Sequence, residues 1–190
     1  PIILLHPRRF LRRWYNGDSI DKMKSRRESE MQRNKDLFRI NVGFLLNQPV
    51  GTFREFDIQT QELDIDDDFH LDNFVGTVRL NRVQQGILVN MKCAGDTALD
   101  CVRCLTPFIG RLSTEFDELF ALPNLRQNAD AENFLPENGN IDLFPLVDEY
   151  MTMEIPIKPI CSEDCKGLCQ ECGANLNIES CEHHHPVLEE

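Results

Sequence analysis

Two cysteine pairs of the form C-x2-C stand far apart in this 190-residue chain: "CVRC" at Cys101 and Cys104, and "CQEC" at Cys169 and Cys172. Two residues between thiolates let one tight turn aim both sulfurs at a single ion. Two such knuckles supply the four ligands of a closed tetrahedral zinc site. Gly173, directly after the second pair, permits the close turn that a knuckle needs. Sixty-four residues lie between Cys104 and Cys169, enough for a sheet and a helix. Any fold that joins the two knuckles must bring the C-terminal segment back against the middle of the chain. The first expected site is therefore Cys101, Cys104, Cys169 and Cys172.

The chain has eight cysteines, so four remain. Cys161 and Cys165 precede the second knuckle, and Cys181 follows it in "CEH" with His183. These four residues form a second candidate site, or they replace one of the knuckles as ligands. His184 and His185 are weaker ligand candidates and read as part of an exposed tail. Cys93 lies on the alternating apolar side of a strand pattern and is expected in the core. A disulfide framework suits small secreted chains, and this one is long enough to build its own core. A thioredoxin-type dithiol opens a helix after a βα unit, and neither pair has that context. An iron–sulfur cluster also takes four thiolates, but the ferredoxin spacing runs are absent. Zinc is the expected metal, one ion with a second at the other set.

A closed four-ligand zinc site has no open position for water or substrate, so it contributes to folding rather than catalysis. The sequence has no Gly-rich phosphate loop, G-x-S-x-G, H-E-x-x-H or recognisable triad. The carboxylates of "DIDDDFHLD" lack EF-hand spacing and read as a solvated loop. The expectation is a protein that is not an enzyme and takes no small-molecule substrate.

Charge is unevenly placed. The net charge is −12, yet residues 1–39 hold eleven Lys or Arg against five Asp or Glu. This reads as a basic arm over 1–37, helical or disordered, on an acidic body. Broad phosphate-driven binding to nucleic acid needs cations that such a body lacks. No apolar run approaches the ~20 residues of a membrane helix, and "IILL" at the start is too short for a signal-peptide core. A soluble, cytoplasmic chain is expected, with Met23 and Met31 as candidate starts.

From Phe38 the pattern turns to strands. "FRINVGF" and "GTFREFDI" alternate, and "QTQELDIDDDFHLD" reads as a short strand and a loop. Phe74, Gly76, Val78 and Leu80 alternate into the turn "NRVQQG", and Ile87, Val89, Met91 and Cys93 alternate out of it. "TALDCVRCL" leads a strand into the first knuckle, and "FIGRLSTEFDELF" alternates after it. Residues 121–140 read as a flexible loop rich in Asn, Pro and Gly. A helix follows, capped by Asp142, with Leu143, Leu146, Val147, Tyr150 and Met151 on its apolar face, ended by Pro156 and Pro159. The expected class is α+β: mainly an antiparallel β-sheet or small barrel over 38–120, with one or two helices. A zinc-ribbon-like module with the helix over 141–190 packs on it.

"GTVRLNRVQQGILVNMK", "CVRCLTPF", "IDLFPLVDEYMTMEIPIKP" and "CSEDCKGLCQECGANLN" together resemble the YceD family of large ribosomal RNA subunit accumulation proteins. The resemblance covers about residues 38–183. Many relatives end the motif in C-x-C, and "CEH" puts His183 in the place of the second cysteine, an exchange that keeps metal ligation. The resemblance implies support of 23S rRNA accumulation and large-subunit biogenesis in a bacterium, through 23S rRNA or large-subunit ribosomal proteins. Arg103 and Lys166 are the candidate contacts to such a partner. The competing class is a thiol-based redox or metal-sensing regulator.

Overall fold

The computed structural model describes residues 34–66, 69–125 and 132–183. The basic arm lies outside them except for residues 34–37, which are helical. His184 and His185 lie outside as well.

Four long segments with period-two apolar spacing build the main sheet: β2 (Phe53–Asp64), β3 (His70–Val83), β4 (Gly86–Asp100) and β5 (Pro107–Ala121). They pair antiparallel in chain order, and the two-residue β6 (Asn133–Phe134) adds to β5 in parallel. The sheet does not close. With β2 and β6 as its edges it is an open sheet, and the barrel alternative falls away. A second, two-stranded sheet joins β1 (Arg39–Asn41) to β7 (Asn140–Asp142). Besides the helical residues 34–37, the described residues form two helices, α1 (Gly43–Leu46) and α2 (Phe144–Met153). Between β5 and β6, in the stretch expected as a loop, Pro123–Leu125 form a 3-10 turn, while 126–131 lie outside the described residues.

Alternation assigns the faces. Val78, Met91 and Phe116 stand in one register row and point into the core, whereas Arg79, Asn90 and Asp117 in the next row face out. The hairpin between β3 and β4 is tighter than "NRVQQG" suggests, since Val83 already pairs Gly86. β2 continues to Asp64, through a stretch expected to be half loop. The strand expected over "FRINVGF" stops at Asn41. Val42 donates its N–H to the Gly139 carbonyl at 2.7 Å, and the chain coils into α1. Phe38, Val42 and Leu45 are consequently the buried positions, and Phe44 is exposed.

The inner face is covered by α2 and the β1–β7 pair. The residue expected to cap α2, Asp142, stands one position before the N-cap, Leu143, and accepts the Phe144 N–H at 3.0 Å. Phe144, Leu146, Val147 and Met151 are buried. Tyr150 stacks on Phe116 at 4.2 Å between centroids and donates its hydroxyl to Glu118 at 2.7 Å. Phe38 is fully buried and meets Phe74 and Phe144 edge-on at 5.6 and 5.7 Å. Cys93 is a core residue: its Sγ lies 3.6 Å from Met151 Sδ, and burial, with Glu154 nearby, pushes its thiol up to about 12. No helix among the described residues is long and apolar enough to cross a membrane.

At the far end of β3, His70 sits between two carboxylates, 2.7 Å from Asp64 and 3.1 Å from Asp72. Burial alone would lower its pKa, but both hydrogen bonds outweigh that and hold it above the ordinary 6.5.

Two outcomes are expected. Phe38→Ala removes a ring from three-way aromatic packing and lowers unfolding free energy by about 3–5 kcal/mol in urea titrations. For His70, the raised folded pKa means that its contribution is full below pH ~6.5 and fades as pH climbs through the folded value. His70→Gln should flatten the decline in stability between about pH 6 and 8. Equal slopes in variant and wild type would rule out that role.

Candidate metal centres

The first knuckle is the turn between β4 and β5. Asp100 still pairs Pro107 across the ladder, so the six residues between them have to reverse the chain. They do so with two main-chain hydrogen bonds: Leu105 N–H to the Cys101 carbonyl at 2.9 Å, and Cys101 N–H to the Thr106 carbonyl at 3.1 Å. The second knuckle repeats this. Gly173 N–H meets the Cys169 carbonyl at 2.9 Å, and Cys169 N–H meets the Ala174 carbonyl at 2.8 Å. The residue after the second cysteine has positive φ in both, +55° at Leu105 and +74° at Gly173. Glycine takes this conformation freely, but an L-residue gives up roughly 1–2 kcal/mol there.

The structure gathers the ligand candidates into two groups. Cys101, Cys104, Cys161 and Cys165 form one; Cys169, Cys172, Cys181 and His183 form the other. Within each, the ligand atoms all lie within 4.8 Å of one another. The pairing expected from spacing, Cys101 and Cys104 with Cys169 and Cys172, is thereby corrected: the knuckles do not face each other. Each is completed by a different cysteine-bearing segment, and Cys161 and Cys165 are separated from Cys181 and His183.

Main-chain bonding explains the exchange. Coming off α2, the chain runs past the first knuckle, where Val102 donates to the Pro159 carbonyl at 2.9 Å. Arg103 donates its guanidinium to the carbonyls of Glu163 and Cys165 at 3.4 and 3.1 Å, and Leu168 N–H meets the Arg103 carbonyl at 3.1 Å. These contacts seat "CSEDC" on the knuckle. At Gly167 a side chain would stand 3.1 Å from the Arg103 carbonyl oxygen, and φ is +78°, so only glycine passes there without strain. The chain then folds back on itself through the Leu168–Asn175 bridge and the Leu176 N–H to Gly167 carbonyl bond at 3.0 Å. The second knuckle is therefore closed by its own downstream residues, and Cys181 and His183 complete its group.

Geometry in the first group fits a tetrahedral ion. The Cys101–Cys165 and Cys104–Cys161 sulfur separations are 3.8 and 3.7 Å. Four sulfurs about 2.3 Å from a zinc ion would stand about 3.8 Å apart. Cys101, Cys104 and Cys165 are buried among Phe108, Ile160 and Leu168. The second group is more open, with Cys169 buried, Cys181 half-buried, and Cys172 and His183 exposed.

The thiols divide within each group. Burial alone would raise Cys101, but main-chain hydrogen bonds from Cys104, Cys161 and Arg103 bring it down to about 6. The Thr106 side chain and main chain lower Cys104. Burial and the neighbouring thiols push Cys161 up to about 12. In the second group, main-chain bonds at Cys172 and Glu171 bring Cys169 down to about 7, and its hydrogen bond raises Cys181. Thiolates packed this closely repel one another, and a cation at the centre removes the conflict.

The asparagines of "GANLN" bond the first cysteine group from behind, a role that the cysteine spacing alone does not announce. Asn177 donates its amide to Cys165 Sγ at 3.3 Å and accepts the Lys166 N–H at 2.8 Å. Asn175 holds both Asn177 and the Thr106 hydroxyl. They orient sulfur from outside the ligand set, as partners of metal ligands commonly do. An N-x-N directly behind a knuckle is the signal that could have found them. Arg103, expected to meet a partner, turns onto main-chain carbonyls. Lys166 keeps an exposed side chain.

The profile of the family described as large ribosomal RNA subunit accumulation protein YceD matches residues 89–189. An uncharacterized protein of Mycobacterium tuberculosis is 34% identical over 115 residues, 58% of this chain and 55% of the relative. The large ribosomal RNA subunit accumulation protein YCED homolog 1, chloroplastic, of Arabidopsis thaliana is 42% identical over 53 residues, 28% of this chain and 16% of the relative. Its namesake in Zea mays is 37% identical over 51 residues, 27% of this chain and 17% of the relative. The chain spans about half the length of the mycobacterial relative and far less of the plant proteins. No solved structure matches it. From β4 to the second ligand group, the chain belongs to the YceD family.

Proposed function

We propose that the protein is a non-enzymatic factor, stabilised by two zinc ions, that supports 23S rRNA accumulation and assembly of the large ribosomal subunit. The family description, together with the names of the plant relatives, supports the ribosomal part. The observation that carries the molecular part is the pair of four-ligand groups. A four-coordinate ion in either has no free position for a reacting molecule, so each ion's role is to hold chain together. The trough on the outer face of the sheet, about 490 Å³, supports a binding rather than catalytic reading. Four of its polar groups are engaged in pairs: Lys92 with Glu115 at 2.8 Å, and Thr77 with Asp57 at 3.0 Å. Exposure of Cys172 and His183 favours metal sensing as the second reading. Reversible disulfide formation in protein purified without metal would select it.

The metal assignment is tested by counting. Purified protein should carry two equivalents of zinc by elemental analysis. Cys101→Ser and Cys172→Ser should each retain one, and the double variant none. If the two knuckles instead shared an ion, the double variant would still hold one equivalent. Strong chelators should unfold the segment beyond α2, because structural zinc contributes folding free energy directly.

The cellular role is tested by deletion. Loss of the gene should lower mature 23S rRNA relative to 16S rRNA, with restoration by the wild-type chain. Unchanged 23S levels would remove the ribosomal reading.

A further inference from the structure

The first knuckle contains a residue that its own fold does not ask for. Leu105 occupies the same hydrogen-bonded position as Gly173, at φ +55°, where glycine would sit unstrained. Its side chain is also 67% exposed, so burial does not repay the strain. A strained, exposed apolar residue is a sign of use rather than of folding. It is not alone. Val102, in the same turn, is 50% exposed and donates to the Pro159 carbonyl, two residues along the chain from Ile157, which is 95% exposed. Ile178, 81% exposed, lies in the turn after Asn175, whose amide bonds Thr106 next to Leu105.

The surroundings are acidic. Asp100, Glu163, Asp164, Glu171, Glu179 and Glu182 are all exposed, against Arg103, Lys158 and Lys166. Arg103 is the one that turns its guanidinium onto carbonyls. A zinc ion with four thiolates carries −2, and one with three thiolates and a neutral imidazole carries −1, so the occupied groups add negative charge. Phosphate backbones are repelled by such a field, whereas Lys and Arg side chains are drawn to it. We propose that the tip of the first knuckle, Val102 and Leu105 with Ile157 and Ile178 beside it, is a docking surface for a Lys/Arg-rich segment of a protein partner. An apolar side chain of that segment rests on Leu105, and its cations meet the carboxylate rim. This rests on the reading of the protein as an assembly factor and names the kind of partner it holds there.

The test uses the full zinc-loaded chain and a fluorescein-labelled twelve-residue peptide of Lys, Arg and Leu. Controls are a peptide with Glu in place of Lys and Arg, and a transcribed 23S rRNA fragment. Asparagine tolerates positive φ and is polar, so Leu105→Asn removes the apolar contact without breaking the turn. By fluorescence anisotropy the basic peptide should bind, and Leu105→Asn should weaken it at least tenfold while retaining both zinc ions and the wild-type melting temperature. Equal binding to the variant overturns the proposal. So does equal binding of the acidic peptide, or rRNA binding that is lost in the variant. If Leu105→Asn loses zinc, Leu105→Gly is measured in its place, and loss of zinc there too would make the leucine part of the metal site and end the proposal. In a deletion strain, full recovery of 23S rRNA by the Leu105→Asn chain sinks the docking surface and leaves the assembly role standing. Normal 23S rRNA in the deletion strain itself removes the assembly role, and the peptide assay still decides the surface.

Discussion

Four sulfur ligands drawn within 4.8 Å of one another are the constraint on which the C-terminal part of this molecule depends. Beyond Met153 the described chain has no helix and no strand longer than a single bridge. About thirty residues without secondary structure cannot offset their conformational entropy by apolar burial alone, and here the buried cluster is small. Convergence of the cysteines on two compact groups stands where a larger core would. It also sets the path of the chain: Gly167, Asn175 and Asn177 are where they are because sulfur must be approached, turned and bonded.

The rest of the protein is a one-sided sheet. β3, β4 and β5 hold its core, and α2 and the β1–β7 pair close it. The outer face stays polar, and no layer among the described residues covers it, as is common for antiparallel sheets. The β4–β5 hairpin belongs to both parts. Its fifteen paired rows run from Gly86 in the core to Asp100 beside the first cysteine group, about 50 Å along the strands. Sheet and metal module are in this sense one continuous hairpin, covered by helix at one end and crowned with sulfur at the other.

Much of this was legible in the sequence. Period-two spacing located β3, β4 and β5, and the face carrying Val78, Met91 and Phe116, because each strand buries one side only. Asp142 and the apolar stripe after it located α2. Three features escaped for identifiable reasons. The pattern over Phe38, Ile40, Val42 and Phe44 fits a strand, but the bond between Val42 and Gly139 is a long-range contact that no local pattern contains. All eight ligand candidates were identified, yet spacing constrains which cysteines can share a turn, not which turns meet. The exchange was decided by the Arg103 guanidinium, donating to the Cys165 carbonyl, and the Leu168 N–H, donating to the Arg103 carbonyl, bonds that carry no signature in composition. Leu105 reads as an ordinary apolar residue until its backbone is compared with that of Gly173.

The span by which the family is recognised begins at Val89, three residues into β4. Yet β4 is flanked on its other side by β3 along nearly its whole length, and Phe38 and Phe74 come from the part of the chain before that boundary. A piece starting where the recognisable span starts would leave a long strand edge unpaired and Phe144 without the edge-on ring of Phe38. The unit of kinship is thus smaller than the unit that can stand alone. The first half is the wall against which the recognisable half is built: it offers β4 a neighbour and lends the core its rings.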